Sequence, residues 1–87
     1  MPTVSDFYGI KIQVFHNDHG IPHFRALCSN GQDVVYSIAT LEHIIGEIPT
    51  NKQKLVEAWA IIHHKELIEN GKRVEQGLRP HKIKGLK

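Results

Sequence analysis

Several features that define large classes of proteins are missing from this chain. Its single cysteine, Cys28, excludes an internal disulfide and a cysteine-based zinc site. No run of 18 apolar residues occurs, which excludes a membrane-spanning helix. The N-terminus lacks the basic start, the apolar stretch and the cleavage site of a secretory signal. We therefore expect a cytoplasmic protein with no membrane partner.

Recognised catalytic and cofactor-binding motifs are absent as well. The sequence holds no phosphate-binding loop, no dinucleotide fingerprint and no zinc-protease helix pattern. We therefore expect no cofactor and no resident metal. The chain has 87 residues, of which 40% are hydrophobic and 23% are charged. This length suits one small hydrophobic core, and this composition is typical of a folded domain rather than a disordered chain.

Charge is distributed unevenly along the chain. Residues 1–71 hold five basic and eight acidic side chains, whereas residues 72–87 hold six basic side chains and one acidic one. A basic end can bind phosphate groups or an acidic partner, or it can simply keep the protein in solution. We expect a domain over residues 1–77 and a basic C-terminal tail over 78–87, in which Lys82 and Lys84 are candidate binding residues.

Alternating apolar and polar residues predict three strands, over residues 8–16, 23–29 and 33–39. The Asn30-Gly31 pair favours a two-residue turn that joins the last two strands into a hairpin. The sequence therefore predicts a three-stranded antiparallel meander. A sheet of this size has exposed edges, which favours a homodimer or a partner protein.

Two helices are predicted after the strands. Thr40 is expected to cap a short helix over residues 41–47, and Thr50 with Gln53 has the spacing of a capping box. One long helix is then expected from about residue 51 to a stop at Gly77. The predicted fold is α+β: a three-stranded antiparallel β-meander followed by a short helix and one long C-terminal helix packed on the sheet, with a basic extended tail.

The long helix carries a polar ridge on its apolar side. In a helical projection Trp59 lies at the centre of the apolar arc, and His63, Glu66 and Asn70 fall on the same arc at positions i, i+3 and i+7. Polar groups on a buried face need hydrogen-bond partners. These three residues are therefore candidate binding residues, or else they form a network that fixes the helix against the hairpin or the tail.

Three stretches carry a resemblance to a known family: MPTVSDFYGIKI, NDHGIPHFRA, and HHKELIEN followed later by IKGL. They resemble the small bacterial proteins of domain-of-unknown-function family 4160. The chain departs from the family pattern at Ile21, where proline is usual, at Arg25, where histidine is usual, and at Gly71, where tryptophan is usual.

The resemblance implies no established activity. It does imply a genetic setting, because genes of this family often adjoin genes of another uncharacterised family, number 2442, in pairs that look like toxin–antitoxin modules. The leading hypothesis is therefore a toxin-like component that acts through a partner protein encoded by a neighbouring gene, with RNA as a further target. The alternative is a non-catalytic binding or regulatory module without a nucleic-acid target.

The histidine-rich loop has three interpretations, and whether the chain is an enzyme depends on them. His19 and His23 are candidate acid and base for metal-independent RNA cleavage, with Arg25 holding the phosphate. Close histidines could instead bind a metal ion, or they could be structural parts of a turn. If Phe24 faces the helix, His23 and Arg25 lie on the opposite face of the sheet from His63. We therefore expect the loop and the polar ridge to be two separate features.

Overall fold

The computed structural model describes residues 2–16 and 21–86, which form an antiparallel sheet followed by two helices. The strands run in chain order across the sheet, and each pairs with the next. The elements are β1 Thr3–Phe7, β2 Ile10–His16, β3 Pro22–Cys28, β4 Asp33–Ser37, β5 His43–Gly46, α1 Thr50–Ile62 and α2 His64–Glu75. The α+β class is as predicted, but the three-stranded meander with one long helix is wrong.

The first additional strand, β1, escaped prediction because its pattern is irregular. A bulge between Thr3 and Ser5 shifts the register, so Val4 and Ser5 are both buried and the alternation is lost. The strand returns into β2 through Tyr8 and Gly9, whose φ angles are 50° and 75°. Two positive φ angles in a two-residue loop match the twist of the flanking strands.

The second additional strand, β5, occupies the segment that was predicted as a short helix. His43–Gly46 instead pairs antiparallel with β4, and Val35 lies opposite Ile45. The reversal before β5 places Leu41 at a φ of 62°. A leucine gives no turn signal, because the left-handed region is usually taken by glycine or asparagine.

The hairpin between β3 and β4 is confirmed, but its turn is longer than predicted. The Gly31 amide donates to the Cys28 carbonyl, and the Cys28 amide donates to the Gln32 carbonyl. Gly31 has a φ of 92°. This is a three-residue loop in which a tight turn is followed by a left-handed glycine, the next most common hairpin connection after the two-residue turns.

The predicted long helix is divided at His63. The backbone bond from the His63 amide to the Trp59 carbonyl ends α1, and α2 begins at His64. The predicted capping box does not form: α1 has no side-chain cap, and the Gln53 amide donates to the Pro49 carbonyl as the first backbone bond of the helix. None of the described helices is long and apolar enough to cross a membrane.

The predicted stop at Gly77 is confirmed. Its φ is 74°, and its amide donates to the Val74 carbonyl while the Leu78 amide donates to the Arg73 carbonyl. This pair of bonds is the glycine-terminated motif that commonly ends helices. The glycine that the helix tolerates, Gly71, is buried against Pro22, where an added Cβ would lie 2.9 Å from a proline carbon.

The hydrophobic core lies between one face of the sheet and the two helices. Trp59 is fully buried at its centre, with its ring 5.5 Å from that of Phe7 and 6.1 Å from that of Phe24. The strands bury alternate residues on this face, such as Ile10, Ile12, Val14, Phe24, Ala26, Val34 and Tyr36. The position of Trp59 is therefore as the helical projection predicted.

Residues 78–86 lie against the body of the protein. The Ile83 amide donates to the Val4 carbonyl of β1 at 2.7 Å, and the Ile83 side chain is buried. The indole nitrogen of Trp59 donates to the Lys84 carbonyl at 2.9 Å. We call residues 78–86 the C-terminal segment; the division into a domain over 1–77 and a tail over 78–87 stays a prediction.

Candidate functional site

His23 and Arg25 lie on the face of the sheet that the helices leave open. Their neighbour Phe24 is fully buried on the helix side, where its ring contacts that of Trp59 edge-on. Successive side chains of a strand point to opposite faces. His23 and Arg25 are therefore on the other side of the sheet from His63, and the two groups of candidate residues do not form one site.

The His23 imidazole is almost covered although it lies on the open face. Only 9% of the residue is exposed, and its ring lies 5.6 Å from that of Phe15, its partner on β2. Its Nδ1 atom has no hydrogen-bond partner, and neither has the buried Oε1 atom of Gln13 on β2. A buried polar atom without a hydrogen-bond partner lowers stability. The open face at His23 and Gln13 therefore holds two polar atoms whose hydrogen bonding is incomplete.

Arg25 is held by a carboxylate. Its Nε donates to Asp33 Oδ2 at 2.7 Å across the β3–β4 hairpin, and both side chains are partly exposed. The negative charge of Asp33 therefore largely balances the positive charge of the Arg25 guanidinium. A phosphate would therefore compete with Asp33 for Arg25, which weighs against the predicted phosphate-binding role.

The remaining loop candidate, His19, lies outside the described residues. Within residues 2–16 and 21–86, no group of three or more histidine, cysteine, aspartate or glutamate side chains is close enough to hold a metal ion. The acid–base role of His19 and His23 stays a prediction.

The polar ridge of the helices contacts the C-terminal segment. Asn70 is buried and makes two bonds to the His81 backbone: its Nδ2 donates to the carbonyl at 2.8 Å and its Oδ1 accepts from the amide at 2.7 Å. The His63 Nδ1 donates to Glu66 Oε1 at 2.6 Å, and the His63 ring lies 5.5 Å from Trp59. The Asn70 bonds match the interpretation in which the ridge fixes the helix against the tail, whereas the His63–Glu66 bond is local to the helices. Its role as a binding site stays a prediction.

The candidate lysines have structural contacts of their own. Lys82 Nζ donates to the Thr3 carbonyl at 2.6 Å, while the Lys84 carbonyl accepts the Trp59 indole hydrogen. The side chain of Lys84 is exposed. Neither lysine lines the open groove of about 570 Å³ that lies between β2, the end of α2 and the start of the C-terminal segment, where Phe15 and Arg79 are among the lining residues.

The feature that sequence reasoning missed is the outer edge of β5. This strand is the last in the sheet, and we call its four residues, His43–Gly46, the β5 edge. Ile44 is 48% exposed and Ile45 is 66% exposed. His43 donates its Nε2 hydrogen to the Gly46 carbonyl at 2.6 Å, which covers one acceptor at the end of the strand. The adjacent isoleucines were the available signal, but they fit one turn of a helix equally well.

A small cavity lies between β4 and α1, one strand inside the β5 edge. It measures about 180 Å³ and is lined by Phe24, Tyr36, Leu41, Glu57, Ala60 and Ile61. Tyr36 pairs with His43 of β5, and the two rings lie 5.8 Å apart. The Tyr36 hydroxyl donates to Glu57 Oε2 at 2.8 Å. Burial, followed by the hydrogen bond and the charge of Glu57, raises the pKa of Tyr36. The phenol therefore stays a donor at neutral pH.

The surroundings of the β5 edge are acidic. Residues 26–51 contain no lysine and no arginine, and their acidic residues are Asp33, which is paired with Arg25, and Glu42 and Glu47. Glu42 and Glu47 flank the strand and are exposed, as is Glu57 at the cavity. A ligand that combines apolar and basic groups would complement this surface.

Fold and site together define a small α+β module with an unpaired sheet edge and no recognised catalytic centre among the described residues. The pattern of the family described as "Domain of unknown function (DUF4160)" matches residues 9–70. The chain therefore belongs to this family. Comparison with curated proteins and with solved structures finds no match.

Proposed function

We propose that this protein is a partner-dependent module that binds a second protein at the β5 edge, as the toxin-like member of a toxin–antitoxin-like pair. The observation that carries the proposal is the exposed apolar edge at Ile44 and Ile45, on whose outer side no strand of residues 2–16 and 21–86 pairs with β5. Such an edge is a template for pairing with another chain.

The edge carries some of the devices that keep sheet edges from pairing and lacks others. The strand is short, and its pairing with β4 contains a register shift opposite Val35 and Tyr36, both of which are protective features. Lysine and proline, which natural edge strands often carry, do not occur in its four residues. Its two exposed isoleucines favour a partner over a bare surface.

Binding through this edge suits both a toxin-like component and a purely regulatory one, and expression separates the two. We expect the protein to arrest growth when it is produced alone and to be relieved by the product of the adjacent reading frame. Ile45→Lys should prevent the relief, because a charge replaces an apolar contact at the edge. If the product of the adjacent reading frame copurifies with this protein but growth is not arrested, the non-catalytic module is favoured. If that product does not copurify, the proposal is contradicted.

Catalysis by the loop histidines is tested in the same assay. If His23 transfers a proton, His23→Ala should abolish arrest while the melting temperature stays within a few degrees, since a general acid or base contributes about 10²–10⁴-fold. Arg25→Lys should then cost less than Arg25→Ala, because the charge remains. Burial of His23 and the Arg25–Asp33 ion pair favour the structural interpretation, in which these changes lower the melting temperature instead.

RNA is a second candidate target, favoured by the groove that joins Phe15 to Arg79. An aromatic ring beside a cationic side chain, here Phe15 and Arg79, is typical of surfaces that bind single strands, and Lys84 is the further cation predicted from the sequence. We expect the double variant Arg79→Gln, Lys84→Gln to reduce the salt dependence of single-stranded RNA binding by about 0.7 slope units per lost phosphate contact. An unchanged slope would exclude these two side chains as phosphate contacts.

A further inference from the structure

We infer that the β5 edge accepts an extended basic segment of the partner, which joins the sheet as a sixth strand and places one long basic side chain in the cavity between β4 and α1. The inference rests on the proposed function, because it assumes that a partner binds at this edge. It adds the chemistry and the binding mode of that partner. Its three supports are the free edge, the acidic surroundings and the shape of the cavity.

The free edge provides main-chain recognition. Strand addition satisfies unpaired backbone groups, while alternate side chains of the added strand give specificity. Four residues offer few ladder bonds, and one carbonyl already accepts a hydrogen bond from His43. Side-chain contacts must therefore contribute much of the affinity.

The acidic surroundings favour a basic strand over a second copy of this chain. In an antiparallel dimer with full overlap of the two edges, Ile44 would lie opposite Ile45 of the other copy. That register places Glu42 opposite Glu47, and it does so twice. Like charges directly opposite each other destabilise a strand pair. A partner strand with lysine or arginine at these positions would instead form opposite-charge pairs.

The cavity suits a side chain with an apolar stem and a basic head. Its wall is apolar at Leu41, Ala60 and Ile61, and the Glu57 carboxylate is its one ionised group. Lysine and arginine bury their methylene groups on apolar surface while the charged end finds a polar partner. Glu57 uses Oε2 to accept from Tyr36, and a carboxylate has further acceptor positions for an incoming cation.

A synthetic peptide tests this inference directly. The probe is acetyl-Thr-Lys-Val-Lys-Val-Arg-Thr-amide, and its control has glutamate at each basic position. With the full chain at low salt, we expect the basic peptide to bind at least about tenfold more tightly than the acidic one. Equal binding of the two peptides would overturn the predicted charge preference.

Matched protein variants locate the binding. Ile45→Lys should weaken the basic peptide at least about tenfold, whereas Leu78→Lys should leave it unchanged. Both residues are exposed and both variants add the same charge, but Leu78 lies in the C-terminal segment at the groove beside β2. Equal effects of the two substitutions would show that only net charge matters and would overturn the assignment to β5.

A third variant tests the cavity. Glu57→Gln keeps an oxygen that can accept from Tyr36 and removes only the charge. We expect Glu57→Gln to bind the basic peptide about two- to fivefold more weakly. An analogue in which norleucine replaces the basic residue that enters the cavity should bind the unaltered chain and Glu57→Gln equally. Equal weakening of both peptides would overturn the role of Glu57 as the partner of the basic head.

Methylation of the backbone nitrogens of the peptide distinguishes strand addition from binding through side chains alone. Methylating alternate peptide nitrogens removes donors along one edge of the probe, so only one of the two alternate sets should abolish binding. In the bound state the Ile44 and Ile45 amides should show changed hydrogen exchange. Equal binding of both methylated peptides would overturn strand addition.

Two outcomes separate this inference from the proposed function. If the neighbouring gene product copurifies with the unaltered chain and not with Ile45→Lys, while the basic and acidic peptides bind equally, the proposed function stands and the basic-strand inference is overturned. If the purified chain is a dimer that Ile45→Lys dissociates, the occupant is a second copy and the basic-strand inference is overturned.

Discussion

The two edges of the sheet end in different ways. At β1 the chain covers its own edge, since Ile83 donates its amide to the Val4 carbonyl and Lys82 reaches the Thr3 carbonyl. At β5 the edge has no strand neighbour, and Ile44 and Ile45 remain exposed. The same sheet thus carries one edge that contributes to folding and one that is available for binding.

The largest effect is expected at Trp59, which connects the covered edge to the core. Trp59→Ala removes the ring contacts with Phe7 and Phe24 and the bond to the Lys84 carbonyl. We expect a loss of about 3–5 kcal/mol in the free energy of unfolding, which can abolish folding in a domain of this size. Trp59→Phe should lose less, because an aromatic ring remains. An unchanged thermal midpoint for Trp59→Ala would contradict the burial of Trp59 at the centre of the core.

The same substitution at the two edges tests the comparison itself. Ile83→Lys buries a charge at the covered edge and should reduce the free energy of unfolding by about 3–4 kcal/mol. Ile45→Lys adds the same charge at the open edge and should change it by less than about 0.5 kcal/mol. Denaturant unfolding of both variants gives the measurement. Similar losses at both positions would mean that β5 is as structural as β1.

A smaller effect is expected at Asn70, which holds the C-terminal segment. Asn70→Ala leaves the His81 amide and carbonyl without their partners, and we expect a loss of about 2–3 kcal/mol. Hydrogen exchange should rise at Ile83 and stay unchanged at Ile45. Asn51→Ala, an exposed change in α1, is the matched control. A stable Asn70→Ala variant would show that the segment is held by other contacts.

The parts of the fold that were predicted correctly have strong local patterns. Three strands with regular alternation correspond to β2, β3 and β4, and Gly77 ends the helix because glycine adopts a positive φ without strain. The same regularity placed Trp59 in the core. It also placed His23 and Arg25 opposite Phe24, so their separation from His63 followed from strand parity alone.

The parts that were missed depend on tertiary contacts. No glycine or proline marks the division at His63, and it is the tertiary contact of the next residue, His64, which donates to the Ile38 carbonyl at 2.7 Å, that accompanies it. β5 follows a turn at Leu41, and its isoleucines carry no period of their own. The candidate site at the β5 edge was not predicted at all, because an unpaired edge is a property of the assembled sheet and not of any local motif.

The smallest expected effect concerns Tyr36, which lies on β4 and pairs with His43 of the open edge strand β5. Its pKa is raised by burial and by Glu57, so the folded protein holds the phenolic proton more tightly than the unfolded chain does. The associated stability is therefore present below the unfolded pKa of about 10 and is lost as the pH rises through the higher folded value. Tyr36→Phe should cost about 1 kcal/mol at pH 7, through the lost bond to Glu57.

The pH dependence gives this last prediction its control. The unfolding free energy of the unaltered chain should fall towards that of Tyr36→Phe above pH 10, because the unfolded chain then loses the phenolic proton that the folded protein still holds, and the variant has no such proton. Tyr8→Phe deletes an exposed hydroxyl at the β1–β2 turn and should leave stability at neutral pH unchanged. A constant difference between Tyr36→Phe and the unaltered chain up to pH 11 would show that the Tyr36–Glu57 bond does not link the phenolic proton to folding.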